Sequence, residues 1–515
     1  MIISSAVSRP NILLVMTDQQ KATSLALYGC PDLRTPALEE MAGRGLLYRH
    51  AFTPHPLCVP ARVSLWTGRY PHQHGSRSNE ILMPENEPHA ARILKQAGYT
   101  LALVGKNHCF RKDDLALFDH VYLAGHTGPQ GTEDQLGVAE ARRFYREHDF
   151  RARWAAHAIN YPRERCAAWL IAERVRELFQ AQKEGRIDGP LCVWMSIPDP
   201  HPPYATPEPY ASSFDPDALT LPPWREGEFD PEGGKPQRQR FFHALSRWPE
   251  ASEDDIRRAL AMYYAQSAFA DDCIGRVTSE LERLGLAQRT IVAFTSDHGD
   301  YAGEHRMMTK SSAMYDCLTR VPLVVSWPGT LPEGRVQDEL VSTIDIVPTL
   351  LRLAEVDAPP ALTVDAVNAR GLPGTGTSAL PAREAVFAEY AAGGPYVSEI
   401  ASNLMEVEGT AGVPRLPYLR ARECEGRLKM VRTLRWKYVY DSGDPVDELY
   451  DLSSDPHELV NLAALPDHAA TVTELRKRLL DWSLETEDSR PVPLYYDLTT
   501  FENTEAPTYW QRPHD

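Results

Sequence analysis

Between Leu57 and Arg69 the chain reads Leu57-Cys58-Val59-Pro60-Ala61-Arg62-Val63-Ser64-Leu65-Trp66-Thr67-Gly68-Arg69, and its residue types suit chemistry on an anion. Pro60 stands near the start of a helical pattern that runs to Gly68, which predicts Cys58 at a helix N-terminus. Unpaired backbone N–H groups and the macrodipole favour negative charge there. Arg62, four residues on, shares that face and reaches the same group. A lone cysteine of this kind is more often a small core residue, so the weight falls on what else is brought to it. Asp18 and the pair Asp297-His298 each follow a continuous apolar run, and parallel strands deliver such residues to one carboxyl edge of a sheet. Lys106 and His108 follow a third run and arrive at the same edge. Read singly, Asp18 is equally a cap or turn aspartate, His298 a hydrogen-bonded turn histidine and Lys310 a solvated surface lysine.

The pattern Cys-x-Pro-x-Arg followed by Thr-Gly-Arg resembles the sulfatase signature, in which the cysteine is oxidised to formylglycine. Further blocks resemble sulfatase landmarks in their usual order: Asn11 to Asp18, Gly105-Lys106-Asn107-His108, Asp199-Pro200-His201-Pro202, Ser296-Asp297-His298-Gly299-Asp300, Lys310, Glu448 to Pro456 and Asn461-Leu462. The resemblance spans roughly residues 10 to 485. It implies a hydrolase of sulfate monoesters, R–OSO3− to R–OH and sulfate, acting through a covalent sulfo-enzyme intermediate on a small anionic ester. It also implies a formylglycine-generating maturation enzyme as partner. A hydrated aldehyde carries two hydroxyls on one carbon: one attacks sulfur, and deprotonating the other later expels the oxyanion.

By the same resemblance Asp18, Asp297, His298 and the formylglycine derived from Cys58 hold one divalent metal ion. Lys106, His108, His201 and Lys310 ring the non-bridging oxygens, Arg62 supports the nucleophile and Asn79 lies near the ester. The catalytic set is then Cys58, Arg62, Lys106, His108, His201 and Lys310, and the substrate-binding set Asn79, Lys106, His201 and Lys310. Charge-assisted donors where negative charge develops are the expected source of transition-state stabilisation. His108 and His201 are candidates to protonate the leaving oxygen and to deprotonate the hemiacetal. His72, His74 and His305, unassisted, read as structural or surface histidines.

The chain departs from part of that family. Many sulfatases carry two aspartates where this chain has Asp18-Gln19, and asparagine where it has His298; the combination here resembles choline sulfatases and phosphonate monoester hydrolases. Gln19 is therefore not counted as a ligand. Calcium or manganese is the expected ion, with magnesium and zinc as further candidates, and imidazole suits manganese or zinc better than calcium. A phosphonate monoester hydrolase or phosphodiesterase using the same site is the alternative. A non-catalytic family member that binds an anion or a partner is the second, and the intact set Cys58, Arg62, Asp18, Asp297 and His298 argues against it.

These residues need a scaffold, and the apolar runs supply one. Asn11 to Met16, Tyr99 to Val104, Leu191 to Ile197 and Thr290 to Ser296 read as strands buried on both faces. Thr35 to Gly45 and Glu87 to Gly98 read as helices ending in glycine. The expected fold is α/β, a doubly wound, mostly parallel central sheet flanked by helices, alkaline-phosphatase-like by the resemblance, over residues 1–375. A helical insertion is expected at about 132–189, and a proline-rich loop region from Asp199 to Glu250 over the strand ends. Residues 376–487 read as a smaller C-terminal α+β domain with an antiparallel sheet near Met430 and Lys437 to Tyr440, closed by a helix from Ala469 to Trp482. The tail, 488–515, has aromatics at Leu494-Tyr495-Tyr496, Phe501 and Tyr509-Trp510 without a period. Such a patch marks an interface, so a homodimer or homotetramer with this tail at the subunit boundary is expected.

Composition bounds the rest. The 515 residues suffice for a major and a minor domain. Hydrophobic residues at 43% and charged residues at 24% are ordinary for a globular protein. A formal charge of -17, with no long Lys/Arg block, argues against nucleic acid as a partner; an anionic substrate must be drawn by a local positive site. The eight cysteines are scattered, which argues against a disulfide framework or a zinc cage. With no leader pattern at the start and no apolar run of membrane-spanning length, a cytoplasmic protein without membrane association is expected.

Overall fold

The computed structural model describes residues 9–79, 81–126, 128–130, 135–150, 152, 154–359, 362, 369–377, 380–391, 427–487, 494–497 and 502–505. The strands in chain order are β1 (Asn11–Asp18), β2 (Gly45–Phe52), β3 (Thr100–Gly105), β4 (His120–Gly125), β5 (Gly128–Pro129), β6 (Ala156–Ile159), β7 (Leu191–Pro200), β8 (Tyr204–Pro207), β9 (Thr290–Ser296), β10 (Arg320–Val321), β11 (Leu323–Ser326), β12 (Arg335–Ser342), β13 (Val386–Ala391), β14 (Arg427–Arg432), β15 (Trp436–Asp441), β16 (Glu448–Asp451), β17 (Leu494–Asp497) and β18 (Glu502–Glu505).

Ten of them form one sheet in the order β10-β2-β11-β9-β1-β7-β3-β4-β5, with β12 beside β2. The run β9-β1-β7-β3-β4 is parallel throughout, and β11 lies antiparallel between β9 and β2. Every residue of β1 and β9 is buried, which is why these strands read as unbroken apolar runs rather than alternating ones. The period of two survives in which layer each residue joins. Leu13 and Val15 pack with Ile171, Val175, Tyr263 and Phe269 from the helices Ala167–Lys183 and Glu253–Leu284. Ile12, Leu14 and Met16 pack on the opposite face with Val59, Val63 and Ile346 from the helices Cys58–Thr67 and Ile346–Leu353. The α/β sheet flanked on both faces by helices is thus the architecture expected.

Within the segment expected as an insertion, Ala167–Lys183 is a flanking helix of the main sheet. Glu253–Leu284 is the longest helix described, and it starts on a capping box in which Ser252 Oγ accepts from the Asp255 N–H at 3.1 Å. The proline-rich stretch before it holds β8, which pairs with β6, and the helix Gln237–Leu245.

The order β13-β14-β15-β16 forms a separate antiparallel sheet. Helix Ala469–Glu485 covers it through Val472, Leu475, Leu479 and Trp482, and Tyr70 and Ile344 join the same cluster, tying this sheet to the main body. In the tail, β17 and β18 pair antiparallel, where no strand period was legible. Phe501, Tyr509 and Trp510, on which the interface expectation leans, lie outside the described residues.

Candidate active site

Helix Cys58–Thr67 is buried along its whole length. It begins at Leu57 in an extended conformation and stops at Gly68, whose φ of 64° is the left-handed value that ends helices. The N–H of Val59, one of the first-turn donors without a helical acceptor, donates to Asn79 Oδ1 at 3.0 Å. Trp66 packs edge-on against Trp194 of β7 with ring centres 5.4 Å apart, fixing the helix on the sheet.

The carboxyl ends of β1, β3, β7 and β9 lie beside the start of this helix. Cys58 Sγ is 3.2 Å from His298 Nε2, 3.3 Å from Lys310 Nζ, 3.6 Å from Lys106 Nζ and 3.8 Å from Asp18 Oδ1. Arg62 is fully buried and joins two strand ends: Nη2 donates to Asp18 and Nε to Asp297, each at 2.9 Å. Its remaining donors reach the Lys106 carbonyl at 3.1 Å and Ser196 Oγ at 2.8 Å. A guanidinium is the group for this task, being always charged and offering donors in a fixed fork. Asp297 also accepts through Oδ1 from the Gln19 N–H at 3.0 Å and from its neighbour His298 N–H at 2.9 Å.

The local field is positive in a protein of net charge -17. Burial raises the Cys58 thiol, but Lys106, Lys310 and His298 outweigh it and hold the group well below its ordinary value. Burial and the neighbouring Cys58 likewise push Asp18 upward, and the cations Lys106 and Arg62 overcome them, holding it well below its ordinary value. His201 is drawn down to about 4, by burial first and then by Lys310, so its imidazole is neutral at physiological pH. An anion formed at position 58 therefore meets cations that are already fixed in place.

Lys106 is paired with Asp18 and stands 2.9 Å from His126 Nε2. His126 in turn stacks on His201, ring centres 3.7 Å apart at 19°. His126 was not read from the sequence as a site residue; it lies in the turn after β4, and nothing in its spacing distinguishes it there. His108 is exposed and contributes a hydrogen bond to the Cys58 sulfur, which places it at the mouth of the site. Gln19 takes Lys310 Nζ on Oε1 at 2.6 Å and donates from Nε2 to Asp300 at 2.5 Å, so its amide is already committed. Three other histidines have structural partners: His72 faces Glu389 at 2.8 Å, His74 faces Ser64 at 2.9 Å and His305 faces Glu228 at 2.6 Å.

Ligand atoms of Asp18, Cys58, Asp297 and His298 all lie within 4.8 Å of one another and are buried. Two carboxylates, an imidazole and a fourth donor are a mixed oxygen and nitrogen set that fits a divalent ion. His298 Nδ1 faces the Gly299 carbonyl at 2.9 Å, the kind of second contact that would orient the imidazole if Nε2 held a metal. All seven cysteines among the described residues are free, and no helix there is long and apolar enough to cross a membrane.

The family model described as Sulfatase matches residues 10–356. The uncharacterized sulfatase YidJ of Escherichia coli (strain K12) is 28% identical over 501 residues, covering 93% of this chain and 88% of that protein. The choline-sulfatase of Rhizobium meliloti (strain 1021) is 27% identical over 504 residues, covering 93% and 88%. Among solved structures, the phosphonate monoester hydrolase of Agrobacterium radiobacter superposes with a TM-score of 0.75 at 23% identity, covering 97% of this chain and all of that one, a likeness of fold.

Proposed function

Since this chain belongs to the sulfatase family, we propose that it hydrolyses sulfate monoesters with a nucleophile derived from Cys58, in a site that takes one divalent cation. The observation that carries this reading is the sulfur of Cys58 at a helix start, 3.2 Å from His298 and 3.3 Å from Lys310, beside two carboxylates clamped by Arg62. Formylglycine at position 58 would supply a geminal diol, able both to attack sulfur and to release the sulfate afterwards. Asp18, Asp297 and His298 would hold the cation, whose chemistry is to favour the ionised nucleophile and to polarise the sulfuryl oxygens.

The remaining work falls to the chain's own side chains. Arg62 keeps Asp18 and Asp297 at a fixed separation. Lys106 and Lys310 bind the non-bridging oxygens and stabilise the charge that builds on them. His108 donates a proton to the leaving alcohol oxygen, and His201, neutral, accepts the one later released by the hemiacetal. Asn79, through its bond to Val59, steadies the turn that presents position 58. Manganese or zinc suits His298 better than calcium does. The test is turnover of nitrophenyl sulfate beside mass analysis of the peptide containing Cys58; no turnover by a fully converted preparation would sink the proposal.

A second reading keeps the same residues and takes a phosphonate monoester or phosphodiester. What favours it is the pair Gln19 and His298, where many sulfatases have aspartate and asparagine. Comparing kcat/KM on nitrophenyl sulfate and a phenyl phosphonate monoester decides between the two. For assembly, a homodimer or homotetramer with the 488–515 tail at its boundary is proposed; light scattering on a chain truncated after Glu487 tests it, and an unchanged oligomer would refute it.

A further inference from the structure

Lys310 brings its ammonium to within 3.3 Å of the Cys58 sulfur from the end of a sharply bent loop. Thr309, the residue before it, has a φ of 68°, a left-handed value that a β-branched residue rarely takes. Gln19, whose Oε1 receives the same ammonium at 2.6 Å, has a φ of 67°. This cation therefore depends on two non-glycine residues in the left-handed region, and such residues persist only where their surroundings brace them.

One buried hydroxyl is bonded toward both supports. Tyr204 of β8 is fully buried, and its Oη accepts from the Thr309 N–H at 3.1 Å. That bond leaves the hydroxyl proton for Asp300 Oδ2, at 3.2 Å. The same Oδ2 accepts from Gln19 Nε2 at 2.5 Å, while Asp300 Oδ1 is committed to the Ala302 N–H at 2.7 Å. From Tyr204 one route runs along the backbone to Lys310, and the other runs through Asp300 and Gln19 to its ammonium.

Packing alone does not require the hydroxyl. The Tyr204 ring sits in the apolar cluster with Leu13 and Val15, and Tyr263 lies edge-on to it with ring centres 6.4 Å apart. Phenylalanine offers the same ring but neither the acceptor for Thr309 nor the donor to Asp300. Without them the Thr309 N–H is left unpaired and its left-handed turn unbraced, so the Lys310 side chain starts from a different backbone direction.

We infer that Tyr204 is a positioning residue that sets Lys310 against position 58, through Thr309 on one side and through Asp300 and Gln19 on the other. The inference rests on the role given to Lys310 in the sulfate-ester reading above. A double-mutant cycle on the formylglycine-bearing holoenzyme tests it, with kcat/KM measured at equal metal content for wild type, Tyr204→Phe, Lys310→Ala and the double variant. Tyr204→Phe should cost at least ~10-fold in the wild-type background and under ~2-fold in the Lys310→Ala background, where the lysine it places is gone. A merely structural tyrosine moves both backgrounds alike. Equal losses in the two backgrounds, or no loss in wild type, overturn the proposal. If Tyr204→Phe does not fold, Asp300→Asn, which keeps one acceptor oxygen for three donors, enters the same cycle with the same expectation. The cycle is read on nitrophenyl sulfate and on a phenyl phosphonate monoester, so a failure of the sulfate reading shows as turnover of the second alone while the cycle still decides on Tyr204. A wild-type enzyme with formylglycine and metal that turns over neither overturns both.

Discussion

The Nε2 of His298 stands 3.2 Å from the Sγ of Cys58 across 240 residues of sequence. The strand β9 and the helix Cys58–Thr67 meet there because Arg62, one turn into the helix, is bound to Asp297, the residue before His298. Position 58 is thereby fixed beside the candidate metal ligands Asp18, Asp297 and His298. Cys58→Ala should lose at least about a thousandfold in kcat while keeping fold and most of the metal affinity, since it removes one sulfur from a site held by other bonds. Circular dichroism, metal content and turnover of purified variants check this; near-native turnover contradicts it.

Arg62 answers a different question, that of stability. Replacing it by Met leaves Asp297 buried without its guanidinium and Asp18 with Lys106 alone, a change worth about 3–5 kcal/mol in comparable buried pairs. Thermal unfolding should show a large drop without added metal and a smaller one with manganese, because a divalent ion offsets the same two charges. An unchanged midpoint in metal-free buffer would remove Arg62 from this role.

Much of this site is legible from residue order alone. β1 and β9 announce themselves as apolar runs, and Asp18 and Asp297 stand where such strands end. Pro60 and Gly68 bracket the nucleophile helix. What escapes is what depends on side-chain direction. Helix Glu253–Leu284 mixes Gln266 and Asp271 among buried tyrosines and alanines, so its apolar face has no clean period, although Ser252 and Gly285 mark its ends. β2 buries Tyr48 and Phe52 but exposes Arg49, which breaks its apolar run. His126 reaches Lys106 only because the turn after β4 folds back over the strand ends, a contact that sequence spacing does not encode.

Stripping the metal should abolish turnover and readdition restore it. His298→Ala and Asp297→Asn should each retain less metal than wild type after gel filtration, because both contribute to the buried ligand set. Equal metal content in the three proteins, measured by elemental analysis, would refute the assignment.

His126 has two contacts, and two substitutions separate them. His126→Phe keeps a ring against His201 but removes the acceptor for Lys106; His126→Gln keeps an acceptor and loses the stack. A hydrogen bond to a charged group is worth about 1.5–3 kcal/mol, so His126→Phe should lower kcat/KM on nitrophenyl sulfate about ten- to hundredfold, with His126→Gln nearer wild type. Identical losses in both would mean that the contact with Lys106 does not matter.

Acid should unfold the protein through Glu228 and Glu304. Burial raises both, but His305 and Lys235 around Glu228, and Lys21 and His457 around Glu304, draw each down to about 2 from an ordinary 4.5. A depressed carboxyl stabilises the fold above its unfolded value and loses that contribution as pH falls through its folded one, so the window runs from pH 4.5 down to about 2. By linkage each group contributes about 3 kcal/mol. Denaturant titrations across that window should show stability falling toward acid, and Glu304→Gln should flatten the slope. A flat wild-type profile would contradict the pairing.

If the residue at position 58 is the nucleophile in its converted form, turnover must track its conversion. Preparations expressed with graded amounts of a formylglycine-generating enzyme are assayed for nitrophenyl sulfate turnover, and the peptide containing Cys58 is weighed by mass spectrometry in each. Turnover should rise in proportion to the converted fraction and extrapolate to near zero for unmodified Cys58. Equal turnover in fully converted and wholly unconverted preparations would rule out a nucleophile made by converting Cys58.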